Sequence, residues 1–355
     1  MVSNHIETTI TTLNMKKILL VLAAVLFISS VAAQAQNAID KEGRKQGHWV
    51  KTDKDGSKIY EGDFIDGIET GTFTYFYPNG TVRITNVFEG TTQRCSHKAY
   101  DEKGHLIATG FYNKRNRDGE WLFYTEEGKL IKKAHYRMGV REGEQVIFNA
   151  DGDTAEVSNW ADNHRHGRWW KRIGKQGYIT GTFVHGGLEG EVKEYDDNAS
   201  LVSHGQYSKG LRNGFYRYYE DGELSVDEKW SQDILVCRKI RIMTPQAQMI
   251  DITTIACLMP KGKKGVLLFT TEGKSIDTYE PADNLYYRLG NRDFFVANKN
   301  QRVMVNNSCV VGIETNAEGG KELKLDPNPP FTIYPDEDCI KAVESVLREG
   351  LDGLE

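Results

Sequence analysis

One interval governs this chain. A glycine that precedes an apolar or aromatic stretch recurs at Gly47, Gly71, Gly119, Gly143, Gly167, Gly190 and Gly214, at an interval of about 24 residues that doubles once, between Gly71 and Gly119. Cys95 stands where the doubled step lacks its glycine. An aromatic residue seven positions earlier keeps the same beat, at Phe64, Phe88, Tyr112, Tyr136, Trp160, Phe183 and Tyr207, and Trp230 follows one interval on. Two independent markers in one period define a repeat architecture. In such an architecture each unit is a small supersecondary piece, and stacking against its neighbours completes its core.

Each unit reads as a β-hairpin. In "KLIKKAHYRMGVREGEQVIFNADGD" a strand over Leu130–Tyr136 is followed by the turn "MGVREG", a strand over Glu144–Phe148 and the turn "NADGD". The strands are short and rich in alternating or aromatic residues, which suits half-buried pleated positions. Asn79-Gly80, Asp151-Gly152 and Asp221-Gly222 recur at the second turn, with Glu127-Gly128 and Lys103-Gly104 in the same slot. Tight turns between twisted strands need positive φ, which glycine adopts without a Cβ penalty. With 35 glycines against 8 prolines, glycine does most of the punctuation. A lone hairpin is marginal in water. A large ring in every unit, laid over its neighbour, builds a continuous core from thin pieces.

The stretch "YEGDFIDGIETGTFTYF" resembles a MORN repeat through Tyr60, Gly62, Phe64, Gly67, Gly71 and Phe73. Later units keep part of the pattern: Tyr112, Gly119, Trp121, Tyr124 and Gly128 in one, Tyr207, Gly210, Gly214, Tyr216, Tyr219 and Gly222 in another. "RCSHKAYDEKGHL" departs most, since Cys95 replaces the glycine. The resemblance spans residues 40–230 and is to bacterial MORN-variant proteins, often exported and sometimes labelled antitoxin-like. It implies a mainly β fold: tandem antiparallel hairpins forming an elongated twisted sheet of about eight units over residues 40–231. It also implies a scaffold or interaction surface, and it carries no catalytic residue.

The ends differ from the array. Met15-Lys16-Lys17, the apolar run Ile18 to Val31, and the small residues Ala33 and Ala35 read as a signal peptide over 15–35, cleaved after Ala35, with 1–14 an upstream extension. The run is shorter than the roughly 20 residues needed to span a bilayer. This predicts export to the periplasm or cell surface of a Gram-negative bacterium, with no membrane span in the mature chain. A net charge of -5 argues against a nucleic-acid binder. Residues 232–355 show no such period and predict a small β-rich domain closed by one terminal helix. That helix is N-capped by Asp336 and has Cys339, Ile340, Val343, Val346 and Leu347 on its apolar face. Of the cysteines Cys95, Cys237, Cys257, Cys309 and Cys339, the last four allow two bridges in three connectivities, or stay buried thiols. Cys95 reads as a packed small hydrophobe. No C-x-x-C spacing supports zinc.

Candidate chemistry is sparse. His164 and His166 lie two apart on one strand face, but in a turn and without a third ligand. Asp151, Asp153 and Glu156, like Asp53 and Asp55, read as turn residues rather than a calcium loop. No nucleophile or acid–base motif and no phosphate-cradling loop is present, and no cofactor is implied. The remaining candidates are the aromatic rows Trp121, Trp160, Trp169, Trp170, Tyr216 and Tyr218. Trp169 and Trp170 are adjacent and so face opposite sides of a strand, which makes one of them core and the other exposed or covered by a partner. The resulting expectation is a non-enzymatic protein-interaction scaffold in the cell envelope. The alternative is a glycan- or cell-wall-binding module using the same rings.

Overall fold

The computed structural model describes residues 36–263, 265–290 and 293–352, with side chains through 344. The signal reading therefore lies outside the described residues. The chain divides into two compact units, Met1–His164 and Arg165–Glu355.

In the first unit, antiparallel strands follow one another from Ala38–Ile39 through Lys45–Thr52, Lys58–Ile65, Ile68–Phe76, Val82–Phe88, Arg94–Tyr100 and onward to Thr154–Ala161. Each pairs with the next in the chain. No helix occurs among the described residues of this unit. The array begins with a polar clamp. Asn37 donates its N–H to the His48 carbonyl at 2.9 Å and accepts the Val50 N–H on its side chain at 2.9 Å. These bonds occupy part of the edge of strand Lys45–Thr52, a row of backbone groups that would otherwise invite pairing with another chain.

The periodic glycine has a specific task. Between Lys58–Ile65 and Ile68–Phe76 the register runs Glu61↔Thr74 and then Asp63↔Thr70, so the second strand carries two extra residues. Gly71 sits in this bulge with φ 62°, in the left-handed region that costs other residues roughly 1–2 kcal/mol. The same two-residue shift recurs between Thr109↔Leu122 and Phe111↔Asp118, and between Gln145↔Ala134 and Arg141↔Tyr136. The Cys95 hairpin explains its own exception. Its register is unbroken from Ile84↔Ala99 to Phe88↔Cys95, so it has no bulge and needs no glycine there. The positive φ angles move into a longer loop, at Gly90 (57°) and Gln93 (62°). Cys95 is buried, as a packed hydrophobe should be. The second turns close as expected from their sequence. Asn149 Oδ1, for instance, accepts the N–H groups of Asp151 and Asp153 at 3.0 and 2.9 Å, and Asp53 plays the same part for Asp55 and Ser57.

In the second unit, hairpins of the same kind run from Gly177–Val184 through Leu201–Ser208, Leu211–Glu220 and Glu223–Ser231. Pairing continues past Ser231, because Ile234–Ile242 pairs with Glu223–Ser231 and Gln248–Asp251 pairs with Ile234–Ile242. A five-stranded antiparallel sheet follows, built from Ile255–Pro260, Val266–Thr270, Ser275–Thr278, Phe294–Asn298 and Val303–Asn306. Val310–Thr315 and Lys321–Leu325 form a separate two-stranded sheet. One core joins Ile240 and Ile242 to Ile255, Leu258, Leu268 and Leu285, and a second gathers Cys257, Cys309, Leu323, Ile333 and Cys339. The terminal helix spans Glu337–Asp352, and Asp336 Oδ1 accepts the Cys339 N–H at 2.9 Å, the N-cap expected from sequence. A helix the sequence reading did not anticipate covers Ala282–Leu289, with Pro281 before it, Asp283 in its first turn, Arg288 in its last and Gly290 after it. The segment is too short for a helical period to stand out, although its start and stop signals are conventional.

All five cysteines carry free thiols. Cys95, Cys257, Cys309 and Cys339 are buried, and Cys237 donates to Asp251 Oδ2 at 3.0 Å. Burial pushes the Cys257 thiol up to about 12 and the Cys95 and Cys339 thiols to about 11, so these groups are protonated and unreactive at neutral pH. Among the described residues, no helix is long and apolar enough to cross a membrane.

Candidate binding face

Strand alternation puts Tyr60, Gly62 and Phe64 on the same face of the first unit as Phe73 and Tyr75. The rings interlock along that face. Phe73 meets Phe64 edge-on at 5.3 Å and Phe88 at 6.3 Å, while Trp121 meets Tyr112 at 5.0 Å and Tyr136 at 6.4 Å. Each such pair contributes about 0.5–1.5 kcal/mol beyond its buried area.

Two further rows complete the face, and neither was read from the sequence. The first is a row of small residues beneath the large ones. A methyl at Gly62 would lie 2.1 Å from the Phe73 ring, at Gly110 2.3 Å from Trp121 and, in the second unit, at Gly205 2.1 Å from Tyr216. Each ring lies flat on a bare glycine of the preceding strand, eleven positions back in the chain. The second is a row of cations over the marker aromatics. Lys45 Nζ lies 4.6 Å from the Phe64 centroid, and Arg117 and Arg141 lie 5.4 and 3.8 Å from Tyr136 and Trp160. In the second unit Arg165 and Arg212 lie 5.2 and 3.4 Å from Phe183 and Trp230. The legible signal was a cation eighteen or nineteen positions ahead of the aromatic.

The cation row is broken before Tyr207, where Leu188 and Glu189 hold the slot, and at two consecutive places in the first unit. Glu69 and Gln93 occupy the slots that would cover Phe88 and Tyr112. An open groove of about 1010 Å³ lies there, with Phe88, Tyr112, Tyr60, Tyr75, Glu69 and Arg115 among the residues that line it. His97 also lines it, in the slot that Phe73, Trp121, Trp169 and Tyr216 fill with a large ring in other units and that Gln145 and Val192 leave without one. It is 7% exposed, and its Nδ1–H donates to Asn86 Oδ1 at 2.7 Å. Burial, with the Arg117 charge nearby, holds its imidazole down from 6.5 to about 4. The unfolded chain then binds more protons than the folded chain between these two values, so stability is lost as pH falls from 6.5 toward 4. We expect a loss on the order of 2–3 kcal/mol from this group. Urea titrations at pH 7 and pH 4 should show it, and His97→Gln should flatten the difference. An equal difference in that variant would place the effect elsewhere.

The sequence candidates divide. Trp121, expected on a surface, is instead as deeply buried as Phe73, 1% exposed. Its place over Gly110 and between Tyr112 and Tyr136 makes it core. Trp160, Trp169, Trp170, Tyr216 and Tyr218 are half-buried. Trp169 and Trp170 do face opposite sides: Trp169 packs edge-on against Phe183 at 5.5 Å, and Trp170 stacks on Tyr178 at 6.0 Å, which stacks on Tyr195 at 4.7 Å. His164 bonds the Asp162 carbonyl at 2.8 Å, and His166 faces His185 at 5.3 Å. Neither belongs to the one group of potential ligands that converges among the described residues, Asp101, His105 and Glu126. That group is largely exposed and already engaged. Asp101 accepts from His105, and Glu126 pairs with Lys103 at 3.0 Å.

No curated protein matches the chain. The family model of the MORN repeat variant matches residues 69–89 and 117–138. Each match begins within a bulged strand and ends at the close of the strand that follows, and the two flank the Cys95 hairpin. The chain therefore carries MORN-variant repeats at two places, in the same register of its hairpin array.

Proposed function

We propose that this protein is a non-enzymatic protein-interaction scaffold of the bacterial cell envelope, exported by a signal peptide cleaved after Ala35 and related to antitoxin-like MORN-variant proteins. The observation that carries the reading is the interrupted aromatic face. The fold covers its marker rings with its own cations in five places and leaves Phe88 and Tyr112 open to a groove. A repeat sheet with such a face suits recognition of another macromolecule.

Affinity capture with residues 36–355 from a cell-envelope extract tests the proposal, with bound proteins identified by mass spectrometry and polysaccharide assayed in the same eluate. One enriched protein supports it. Polysaccharide without an enriched protein overturns it in favour of a glycan-binding face. A second ring cluster makes a separate prediction. Trp170→Ala is expected to lower recovery of the captured partner while the variant keeps its β-sheet circular dichroism. Unchanged recovery removes Trp170 from the surface.

A further inference from the structure

Several departures from the repeat line one groove, while Gln145 and Val192 in the ring row and Leu188 and Glu189 in the cation row lie elsewhere. Glu69 and Gln93 stand in the cation row, His97 in the ring row, and Cys95 in the glycine row. A fifth departure at the groove is Arg115. The two-residue turns of the array have positive φ at both positions, as at Asp66-Gly67 (52° and 78°) and Met138-Gly139 (48° and 88°). The second position is otherwise glycine or Asn/Asp, residues that tolerate this conformation. In Lys114-Arg115 it is arginine, held at φ 67°. Backbone strain of this kind persists where the side chain has a task.

The charges around the groove are unevenly satisfied. Arg44 pairs with Asp40, Glu42 and Asp66. Glu69 accepts a hydrogen bond from the Tyr75 hydroxyl at 3.4 Å. Lys45 donates to the Tyr60 hydroxyl at 2.7 Å and lies over rings, and neither Lys45 nor Arg115 has a carboxylate partner among the described residues. Lys45 and Arg115 thus line, together with the single carboxylate of Glu69, a groove that also holds the rings of Phe88 and Tyr112. The lining rings do not lie flat: His97 and Tyr112 stand edge to face at 86°, and Tyr60 and Tyr75 are tilted by 54°. This arrangement makes clefts for side chains rather than a flat platform for a pyranose ring.

We infer that the groove bordered by Lys45 and Arg115 receives an extended acidic segment of a partner protein, with an apolar side chain over Phe88 and Tyr112 and a flanking carboxylate on the Arg115 guanidinium. The planar guanidinium grips a carboxylate through two parallel hydrogen bonds, which a lysine at this turn would not reproduce. The inference rests on the scaffold reading and specifies its partner chemistry.

Fluorescence anisotropy of the purified chain with a fluorescein-labelled pentapeptide alternating Glu and Phe tests it, beside the Lys–Phe counterpart and polygalacturonate as competitor. We expect the acidic peptide to bind and to weaken as salt rises, the basic one to bind at least tenfold more weakly, and polygalacturonate to compete poorly. Arg115→Gly restores the residue that neighbouring turns use. It should weaken acidic-peptide binding about tenfold while the melting temperature holds or rises, a combination that a structural role for Arg115 would not produce. Absence of acidic-peptide binding, equal binding of the basic peptide, an Arg115→Gly affinity within twofold, or preferential binding of polygalacturonate would each overturn the proposal. The two readings fail separately. An envelope partner captured equally by wild type and Arg115→Gly leaves the scaffold standing and removes this groove. Arg115-dependent peptide binding without any captured protein does the reverse.

Discussion

Trp121→Ala is expected to lower the unfolding free energy by about 3–5 kcal/mol, the range for truncating a buried tryptophan. The ring is 1% exposed, donates Nε1–H to the Phe111 carbonyl at 3.1 Å and lies on Gly110. Arg117 stacks on its face at 4.6 Å, and His97 and Tyr112 pack within 5.3 Å. The neighbouring strands are held by their own hydrogen bonds and cannot close over the cavity. Urea unfolding followed by far-UV circular dichroism measures the loss, and hydrogen exchange should place it in strands Leu106–Asn113 and Asn116–Tyr124. Gly110→Ala attacks the same contact from below, since its methyl would lie 2.3 Å from the ring, and should cost about 1–3 kcal/mol by overpacking. Because the two residues touch, the double variant should lose less than the sum of the singles. Full additivity would mean that the glycine is not there to seat the ring.

The second large effect lies in the second unit. Glu280→Ala should cost about 3–5 kcal/mol, because it strands a buried arginine. Arg288 is 3% exposed and Glu280 5%. The guanidinium donates to Glu280 Oε2 and to the Arg241 carbonyl, while Glu280 Oε1 accepts the Met243 N–H at 2.9 Å. The pair ties the helix Ala282–Leu289 to the strand Ile234–Ile242. Glu280→Ala removes the buried counter-charge, leaves the guanidinium only the Arg241 carbonyl and the Glu220 carboxylate at 3.7 Å, and strips the Met243 N–H of its acceptor. The double variant Glu280→Ala/Arg288→Met should recover part of the loss, since no charge then remains buried. Differential scanning calorimetry of the three proteins decides this. A single-variant loss under about 1 kcal/mol would indicate that water reaches the guanidinium.

The hairpin array was legible because its constraints are local. Positive φ at Gly71 and Gly143 depends only on a bulge within one hairpin, and the strand period of two depends only on the pleat. Both leave a mark in the one-dimensional order of residues. The Asp336 cap is readable for the same reason, since its acceptor and donor are three positions apart. The helix Ala282–Leu289 went unread because two turns are too few to display a period, and its burial against Ile240 and Leu258 is tertiary. The site was legible only in part. The aromatic rows marked the right face, yet Trp121 was placed on its surface. Its depth is set by the bare Gly110 beneath it and by Arg117 above it, at spacings of eleven and four positions that mean nothing until the hairpins are paired.

By itself the sequence determined the repeat, its hairpin unit, the need for glycine at its turns and the alternation of side chains between two faces. These follow from backbone geometry within a single repeat unit. That the periodic Gly71 and Gly143 sit in bulges within strands came from the structure. Only the tertiary structure decided which rings are core and which face solvent, that the Cys95 hairpin runs without a bulge, and that Glu69, Gln93 and Arg115 meet at one groove. The physical reason is that burial and charge compensation are properties of neighbours across strands. A cation covers a ring, or fails to, only after pairing has brought groups far apart in the chain within a few ångströms of each other.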